Sequence, residues 1–334
     1  MMGEAVRRVV DRSQAIAIQR RLRDCHQPAD ILLLVEEQAA HFDATNTATS
    51  LFLLSDHLEH ASEEALTLTR GDPNFQRLLL LASASLDQMS TLSVANTALA
   101  VGRLDCPVVQ GDNVLDRAVG LVLADPPRYN VLDLLQVLKG LVLAEHSPGD
   151  AELEALVGDL CAKLDRDRKH PGSVIVQVLQ GMARLGLRPS PELYARCAAL
   201  VREEGGAFSS GQVPQALAAF VWFKREKDLA CPPQVLEVLY ERMKATAETS
   251  TRDNWDKCRW AFRQLDFDID VGQNPKTFAG VAGDGAAAAE ESAVWYPATT
   301  AGLAAPEEFE EEEEGAWEAG EGEDEGEEDE EAGV

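Results

Sequence analysis

The sequence predicts an all-α fold: a right-handed α-solenoid of about six helical hairpins in 38–41-residue repeats, followed by a disordered acidic C-terminal tail. Three observations lead to this prediction. Apolar residues recur at three- and four-residue steps in six segments of the first 270 residues. These segments follow one another at a nearly constant interval. No stretch has the alternating Val, Ile, Thr and aromatic pattern of a half-buried strand.

Charge divides the chain into parts. The 334 residues carry a formal charge of −28, and residues 281–334 hold 20 of the 58 acidic residues with no Lys or Arg. Residues 1–280 therefore carry only −8, which is an ordinary globular composition. We predict an N-terminal basic helix or arm at residues 1–28, a helical-repeat region at 29–270 and a disordered tail at 271–334.

Membrane and secreted classes are disfavoured. The longest apolar stretches fall far short of the ~18 residues that span a bilayer, so no membrane partner is expected. Six scattered cysteines without a CxxC pair predict reduced thiols in a core. Residues 1–24 are rich in arginine but lack an apolar signal region, and Glu4, Asp11 and Asp24 argue against a complete transit peptide. The simplest interpretation is a frayed leading helix.

The repeat is measured between residues at the centre of each periodic segment. These anchors are Leu51, Leu99, Leu138, Leu179, Leu217 and Cys258. Their gaps are 48, 39, 41, 38 and 41, so four of the five fall between 38 and 41. A second helix with one apolar face fits between each pair of anchors: Phe75–Leu86, Val114–Leu123, Ala151–Leu164, Pro191–Val201 and Pro233–Met243. Pro191 and Pro233 mark helix starts, where proline costs no hydrogen bond.

The repeat length has a physical consequence. One hairpin of about 40 residues cannot bury enough apolar surface to offset its ordering entropy. Neighbouring hairpins must therefore stack into a solenoid with one continuous core and a long concave surface. Such a surface suits an extended ligand, either a single-stranded nucleic acid or a peptide.

Several segments resemble a known repeat. The second-helix sequence LSVANTALAVGRL at residues 92–104, the segment AHFDATNTATSL at 40–51 and the Pro-rich hairpin starts at 189–193 and 232–236 are similar to octotricopeptide-type repeats. They also resemble the helical repeats that precede the RAP domain in organelle RNA-binding proteins. The resemblance covers roughly residues 29–268.

The resemblance implies sequence-selective binding of single-stranded RNA in a chloroplast or mitochondrion, in RNA processing, stability, splicing or translation. Without it, the expected location is the cytoplasm. After Asp270 the chain shows no α/β module like the RAP domain, so a nuclease-like activity of that module is not carried over.

Basic residues in the last turns of the helices that carry the anchors are the candidate RNA contacts, because cations bind phosphates. Arg103, Arg184 and Arg263 recur at the same place in three repeats. The full candidate set is Arg103, Lys139, Arg184, Lys224, Arg225, Arg259 and Arg263. The alternative is that the helix macrodipole alone favours cations at these C-termini.

Other motifs favour structural interpretations. Trp255 and Trp260 interleave with basic residues and can stack bases, but they fit an apolar cap of the core better. His57 and His60 lie one turn apart but have no evident third ligand for zinc. Gly205-Gly206 lacks the GK[ST] sequence of a phosphate-binding loop. We assign no catalytic residue, metal or cofactor.

The acidic tail yields a testable expectation. An anionic segment can fold back over a basic RNA-binding face and compete with phosphate. We therefore expect deletion of residues 281–334 to tighten RNA binding at low salt, as measured by an affinity titration with a labelled oligonucleotide. An unchanged affinity would discard the competition idea and leave the tail as a solubilising segment.

Two functions are consistent with the sequence. The leading hypothesis is a non-enzymatic organelle RNA-binding solenoid, whose partners are single-stranded RNA and other RNA-processing or ribosomal proteins. The alternative is a protein-interaction scaffold, including a subunit of a ribonucleoprotein. A basic stripe built from Arg103, Lys139, Arg184 and Lys224 would favour RNA, whereas an apolar or acidic groove would favour protein.

Overall fold

The described part of the chain is helical apart from one two-residue strand pair, as the all-α prediction requires. A computed structural model describes residues 12–166 and 171–267. The helices are α1 (Arg12–Arg23), α2 (Pro28–Gln38), α3 (Ala44–His57), α4 (Glu63–Gly71), α5 (Pro73–Ser85), α6 (Thr91–Arg103), α7 (Val114–Ala124), α8 (Val131–Leu143), α9 (Asp150–Leu164), α10 (Pro171–Arg184), α11 (Pro191–Glu204), α12 (Gln212–Lys227), α13 (Pro233–Ala245) and α14 (Arg252–Gln264). The 3₁₀ turns are Ala39–His41, Leu86–Gln88, Pro126–Arg128 and Gly205–Ala207. The acidic tail lies outside the described residues.

The helices pack in two rows. In the first row, α1, α3, α6, α8, α10, α12 and α14 each contact the next. In the second row, α2 contacts α5, and α7, α9, α11 and α13 contact one another in turn. Contacts of α6 with α7, α8 with α9, α10 with α11 and α12 with α13 join the rows. One apolar core cluster extends from Ile18 to Leu265 between them.

First-row helices begin in a recurring way. The N-cap side chains of Asp43, Ser90, Asn130 and Thr251 each accept a hydrogen bond from the backbone N–H three residues later. The residue before three of these caps is apolar and buried: Phe42, Met89 and Tyr129. Such a residue packs against the first turn and fixes the direction in which the chain enters the helix.

The same helices also end in a recurring way. A residue with positive φ follows each of the last five first-row helices, namely Asp105 (48°), Glu145 (49°), Gly186 (72°), Asp228 (56°) and Asp266 (55°). The next N–H then bonds back to a carbonyl of the helix, as in Leu187 N–H to Met182 O at 3.0 Å. This left-handed turn satisfies carbonyls that the helix leaves unpaired. Acidic residues occupy four of the five turns, although glycine fits them with less strain.

Two glycines bring α6 and α8 into backbone contact. A Cβ atom added to Gly140 would lie 2.3 Å from the carbonyl oxygen of Ala98. A Cβ added to Gly102 would lie 2.2 Å from the carbonyl oxygen of Gly140. No real Cβ approaches backbone this closely, so both glycines are required for the packing of these two helices.

Three features differ from the sequence-based expectation. The irregular 48-residue gap contains an additional helix, α4, none of whose residues is buried. A two-residue strand pair joins Val108–Val109 to Asp112–Asn113 before α7. Residues 12–23 form a packed helix, not a frayed one, because Ile18 and Leu22 are fully buried and α1 contacts α3.

The state of the cysteines and the length of the apolar helices agree with the sequence-based predictions. All six cysteines are free thiols, and Cys161, Cys197 and Cys258 are buried. Burial raises the pKa of the Cys258 thiol to about 12, which keeps it protonated at neutral pH. Among the described residues, no helix is both long enough and apolar enough to cross a membrane.

Candidate nucleic-acid interface

Each first-row helix from α3 to α14 has a stripe of four positions, spaced four, three and four residues apart, whose side chains are on the whole less buried than those between them. In α8 these are Leu132, Gln136, Lys139 and Leu143, and most residues between them are buried. We call all such positions together the ladder face. Its other members are Thr45, Thr49, Phe52 and Asp56; Leu92, Asn96, Leu99 and Arg103; Ser173, Gln177, Gln180 and Arg184; Gly211, Gln215, Ala218 and Trp222; and Arg252, Asp256, Arg259 and Arg263. In α12 the stripe starts at the N-cap residue, and Leu99 and Ala218 are buried members.

Contacts between successive helices show that these stripes adjoin at the N-terminal end of the row. Gln19 Nε2 of α1 donates to Thr49 Oγ1 at 3.1 Å. Two turns after Thr49 in α3, Asp56 Oδ1 lies 3.5 Å from a guanidinium nitrogen of Arg103 in α6. Arg103 in turn acts electrostatically on Lys139 of α8. The ladder face is therefore continuous across α3, α6 and α8.

The ladder face is basic, although the protein is acidic. It carries Arg103, Lys139, Arg184, Arg252, Arg259 and Arg263, against the two carboxylates of Asp56 and Asp256. All of these cations except Arg252 belong to the candidate set that the sequence predicts. The face therefore concentrates positive charge on a chain whose formal charge is −28.

Arg103 is engaged by the neighbouring helix end. Its guanidinium lies 3.5 Å from Asp56 and 3.1 Å from Glu59, and about a fifth of the side chain is exposed. The role of Arg103 in the described structure is thus to join the C-terminal ends of α3 and α6. A phosphate that binds here has to compete with two carboxylates, so Arg103 is a weaker candidate than its recurrence indicates.

Lys139 lies beside that ion-pair cluster and is half-buried. Desolvation lowers the pKa of the Lys139 ammonium, Arg103 lowers it further, and Glu59 acts in the opposite direction. An anion that approached Lys139 would favour its charged form.

Lys224 is engaged by the end of the neighbouring helix and is not a member of the ladder face. Its Nζ donates to the carbonyl oxygen of Gln264 at 2.8 Å and to Asp266 Oδ2 at 2.7 Å. Lys224 therefore links the C-terminal ends of α12 and α14, where the helix macrodipole favours a positive charge. Sequence alone groups it with the other candidates because it lies near the end of a comparable apolar segment.

The remaining candidates lie toward the C-terminal end of the row. Arg184, Arg225 and Arg263 are exposed, and Arg259 is half-buried with a nitrogen 4.0 Å from Asp256. Desolvation lowers the pKa of the Arg184 guanidinium and Glu145 partly offsets it, but an arginine stays charged at neutral pH. The cations that are most open to a ligand are thus on α10, α12 and α14.

The tryptophans have different roles. Trp255 is only 6% exposed and belongs to the core, as the apolar-cap interpretation predicts. Trp260 is half-buried and packs against the core. Trp222, which the sequence pattern did not single out, lies half-buried on the ladder face with Lys227 Nζ 5.1 Å from its ring centroid. It is the aromatic side chain of α12 best placed to meet a ligand on this face.

Sequence reasoning also missed a row of amides on the ladder face. Asn96, Gln136, Gln177 and Gln215 occupy the same stripe position in α6, α8, α10 and α12, at intervals of 40, 41 and 38 residues. The signal was present in the sequence, since each lies two or three residues before a leucine anchor. Neutral amides add no charge and do not alter the apolar period, so they do not stand out in a charge or hydropathy pattern.

The histidine pair offers no metal site. His57 and His60 are exposed at the end of α3, and the adjacent Asp56 is engaged by Arg103. Within residues 12–166 and 171–267, no group of three or more His, Cys, Asp or Glu side chains is arranged to hold an ion.

Comparison with known proteins adds no relative. No protein-family model, no curated protein and no solved structure matches this chain. The functional argument therefore depends on the ladder face itself.

Proposed function

We propose that this chain is an α-solenoid that binds single-stranded RNA along its ladder face. The observation that carries the proposal is the charge of that face, six cations against two carboxylates on a protein with a large negative charge. Electrostatic attraction to phosphates dominates nucleic-acid affinity, so charge of this sign and location is what such a ligand requires. The resemblance to octotricopeptide-type repeats supports the same ligand.

The proposed action is non-enzymatic. Bound RNA would lie across successive first-row helices, with its phosphates near Arg184 and Arg263 of the ladder face and near Arg225, which continues the α12 stripe three residues beyond Trp222. Occupying the strand in this way protects it or presents it to RNA-processing or ribosomal proteins. We propose a chloroplast or a mitochondrion as the compartment, on the resemblance alone.

Salt dependence tests the proposal. Fluorescence anisotropy with a labelled single-stranded RNA pool would give the affinity between 50 mM and 300 mM salt. We expect the triple variant Arg184→Gln, Arg225→Gln, Arg263→Gln to bind RNA about 100-fold more weakly than the wild type at 50 mM salt. The slope of its log K against log salt should be smaller by about 2, because each phosphate contact contributes roughly 0.7.

A matched control separates this effect from net charge. Arg77, Arg128 and Arg202 are exposed cations off the ladder face, and changing all three to glutamine removes the same charge. We expect that variant to bind like the wild type. Equal losses in both triple variants, or no RNA binding by the wild type, would refute the proposal.

A specific observation favours the scaffold alternative. Leu92, Leu132 and Leu143 on the ladder face of α6 and α8 are 40%, 58% and 44% exposed. Exposed leucines grouped in this way are typical of a surface that buries an apolar peptide. If RNA binding is absent, capture of an amphipathic peptide by α6 and α8 becomes the leading function.

A further inference from the structure

Two buried cysteines meet between α9 and α11 in the second row. The sulfur atoms of Cys161 and Cys197 lie 3.7 Å apart, and both side chains are at most 1% exposed. We propose that this thiol pair is a modification site, at which a peroxide forms a disulfide that joins two successive second-row helices. The inference is independent of RNA binding, because neither cysteine belongs to the ladder face.

The register of the two helices brings the thiol pair together. Glu154 lies seven residues before Cys161 in α9, and Ser190 lies seven residues before Cys197 at the start of α11. The backbone N–H of Ser190 donates to Glu154 Oε1 at 3.3 Å. The same two turns, about 10 Å along a helix axis, therefore separate the two contacts in both helices. It follows that α9 and α11 run side by side in the same direction.

An ion pair joins the same helices beyond the thiol pair. Arg196, next to Cys197, donates to the carboxylate of Asp165, which is the C-cap residue of α9. Asp165 lies four residues after Cys161, which is about one helical turn. The sulfur atoms thus lie between two polar contacts that oppose sliding of one helix along the other. Their short separation is therefore a consequence of how α9 and α11 pack.

A disulfide at this place requires only a small movement. The sulfur atoms of a disulfide are about 2.05 Å apart, so those of Cys161 and Cys197 have to approach each other by about 1.7 Å. Rotation about the two Cα–Cβ bonds and a small shift of the helices supply such an approach. A single buried cysteine acts as a small apolar side chain. Two cysteines in contact on neighbouring helices can in addition be cross-linked.

The environment of the pair favours one thiolate. A hydrogen bond from the Cys197 thiol lowers the pKa of Cys161, because it stabilises the Cys161 thiolate. The same hydrogen bond, together with burial, raises the pKa of Cys197. The nearby Arg196 guanidinium also favours negative charge on either sulfur. Since the thiolate is the nucleophile of cysteine chemistry, Cys161 is the sulfur that reacts first with an oxidant.

The reaction consumes one molecule of hydrogen peroxide. The Cys161 thiolate attacks one peroxide oxygen, the O–O bond breaks, and the departing hydroxide takes up the proton that Cys161 released. Cys161 is then a sulfenic acid. The Cys197 sulfur attacks the Cys161 sulfur, an S–S bond forms, the S–O bond breaks, and the second hydroxide leaves as water with the Cys197 proton. The two thiols lose two electrons and two protons, and the peroxide is reduced to two water molecules.

Opening of the end of α9 gives peroxide access to the buried pair. Cys161 lies three residues before Leu164, where α9 ends, and helix ends open at a low cost in free energy. The ion pair that closes this end is weak, because the side chains of Arg196 and Asp165 are 43% and 44% exposed. Once formed, the disulfide links residues 36 positions apart and prevents this opening.

Peptide mapping by mass spectrometry after treatment of the full-length chain with hydrogen peroxide tests the inference. We expect a peptide pair linked through Cys161 and Cys197, and a loss of two of the six free thiols. The cross-link should raise the melting temperature by about 5 °C, because it constrains the unfolded chain. Dithiothreitol should reverse both changes.

Variants identify the sulfur atoms involved. Cys161→Ala and Cys197→Ala should each abolish the linked peptide and the rise in melting temperature. The control Cys258→Ala, at a buried cysteine of α14 in the first row, should leave both intact. Two free thiols at the pair after the partly exposed Cys25 has been oxidised would overturn the inference. Sulfinic acid at the pair would also overturn it, and its buried charge would lower the melting temperature. The linked peptide is measured in the wild type, so the test stands even where a variant fails to fold.

Discussion

A Gly140→Ala variant is expected to lose about 2–3 kcal/mol of unfolding free energy, because its new methyl group would meet the backbone of α6. The added Cβ would lie 2.3 Å from the carbonyl oxygen of Ala98, which cannot rotate away as a side chain does. Overpacking of a core typically costs about 1–3 kcal/mol, and here the helices themselves must separate. Chemical denaturation followed by circular dichroism would measure the loss.

Gly120→Ala is the matched control and should have the opposite sign. Gly120 lies within α7, is exposed, and has no atom within 4 Å of an added Cβ. Alanine there should stabilise the protein by about 1 kcal/mol through helix propensity alone. A Gly102→Ala, Gly140→Ala double variant should lose less than the sum of the single losses, because one separation of α6 from α8 relieves both clashes. Equal stabilisation by alanine at positions 120 and 140 would contradict the close approach.

A Phe223→Ala variant is expected to lose about 4 kcal/mol. Phe223 is fully buried in α12, and its ring makes edge-to-face contacts with Tyr194 at 5.6 Å and Trp222 at 5.3 Å between centroids. Removing a buried phenylalanine side chain costs its transfer free energy and leaves a cavity, together about 3–5 kcal/mol. The same denaturation experiment gives the value.

Phe223→Leu separates cavity formation from loss of the aromatic contacts. Leucine refills most of the volume, so its cost should be about 1 kcal/mol. Tyr194 would then lose an aromatic partner but keep its hydrogen bond to the carbonyl oxygen of Ala230, at 3.2 Å. A loss as large for leucine as for alanine would mean that ring geometry, not volume, controls packing between α11 and α12.

The helices could be predicted from the sequence because burial has a strong periodic signal. All five leucine anchors lie in first-row helices and are at most 5% exposed, and Cys258 in α14 is 2% exposed. Proline at the first position of α11 and α13 marked their starts correctly. The additional helix α4 is difficult to predict because it has only nine residues and none of them is buried, so its apolar pattern is short.

The candidate site was harder to predict because its contacts join residues far apart in the chain. The sequence shows that Arg103 and Lys224 lie near helix ends, but not that Asp56 and Asp266 engage them across neighbouring helices. Unpaired atoms are equally hidden, since the buried Oε1 of Gln177 is defined by what surrounds it in space. Sequence spacing can identify candidate residues, but only the packing shows which of them already form contacts within the protein.

The order of helix contacts has a consequence for synthesis of the chain. Helices that touch are also close along the sequence, as α6 and α8 or α10 and α12 are. A ribosome adding about 5–20 residues per second delivers one repeat of this length in roughly 2–8 s. Each new pair of helices can dock on those already folded, so the N-terminal half of the core is able to form before the C-terminal cations have been translated.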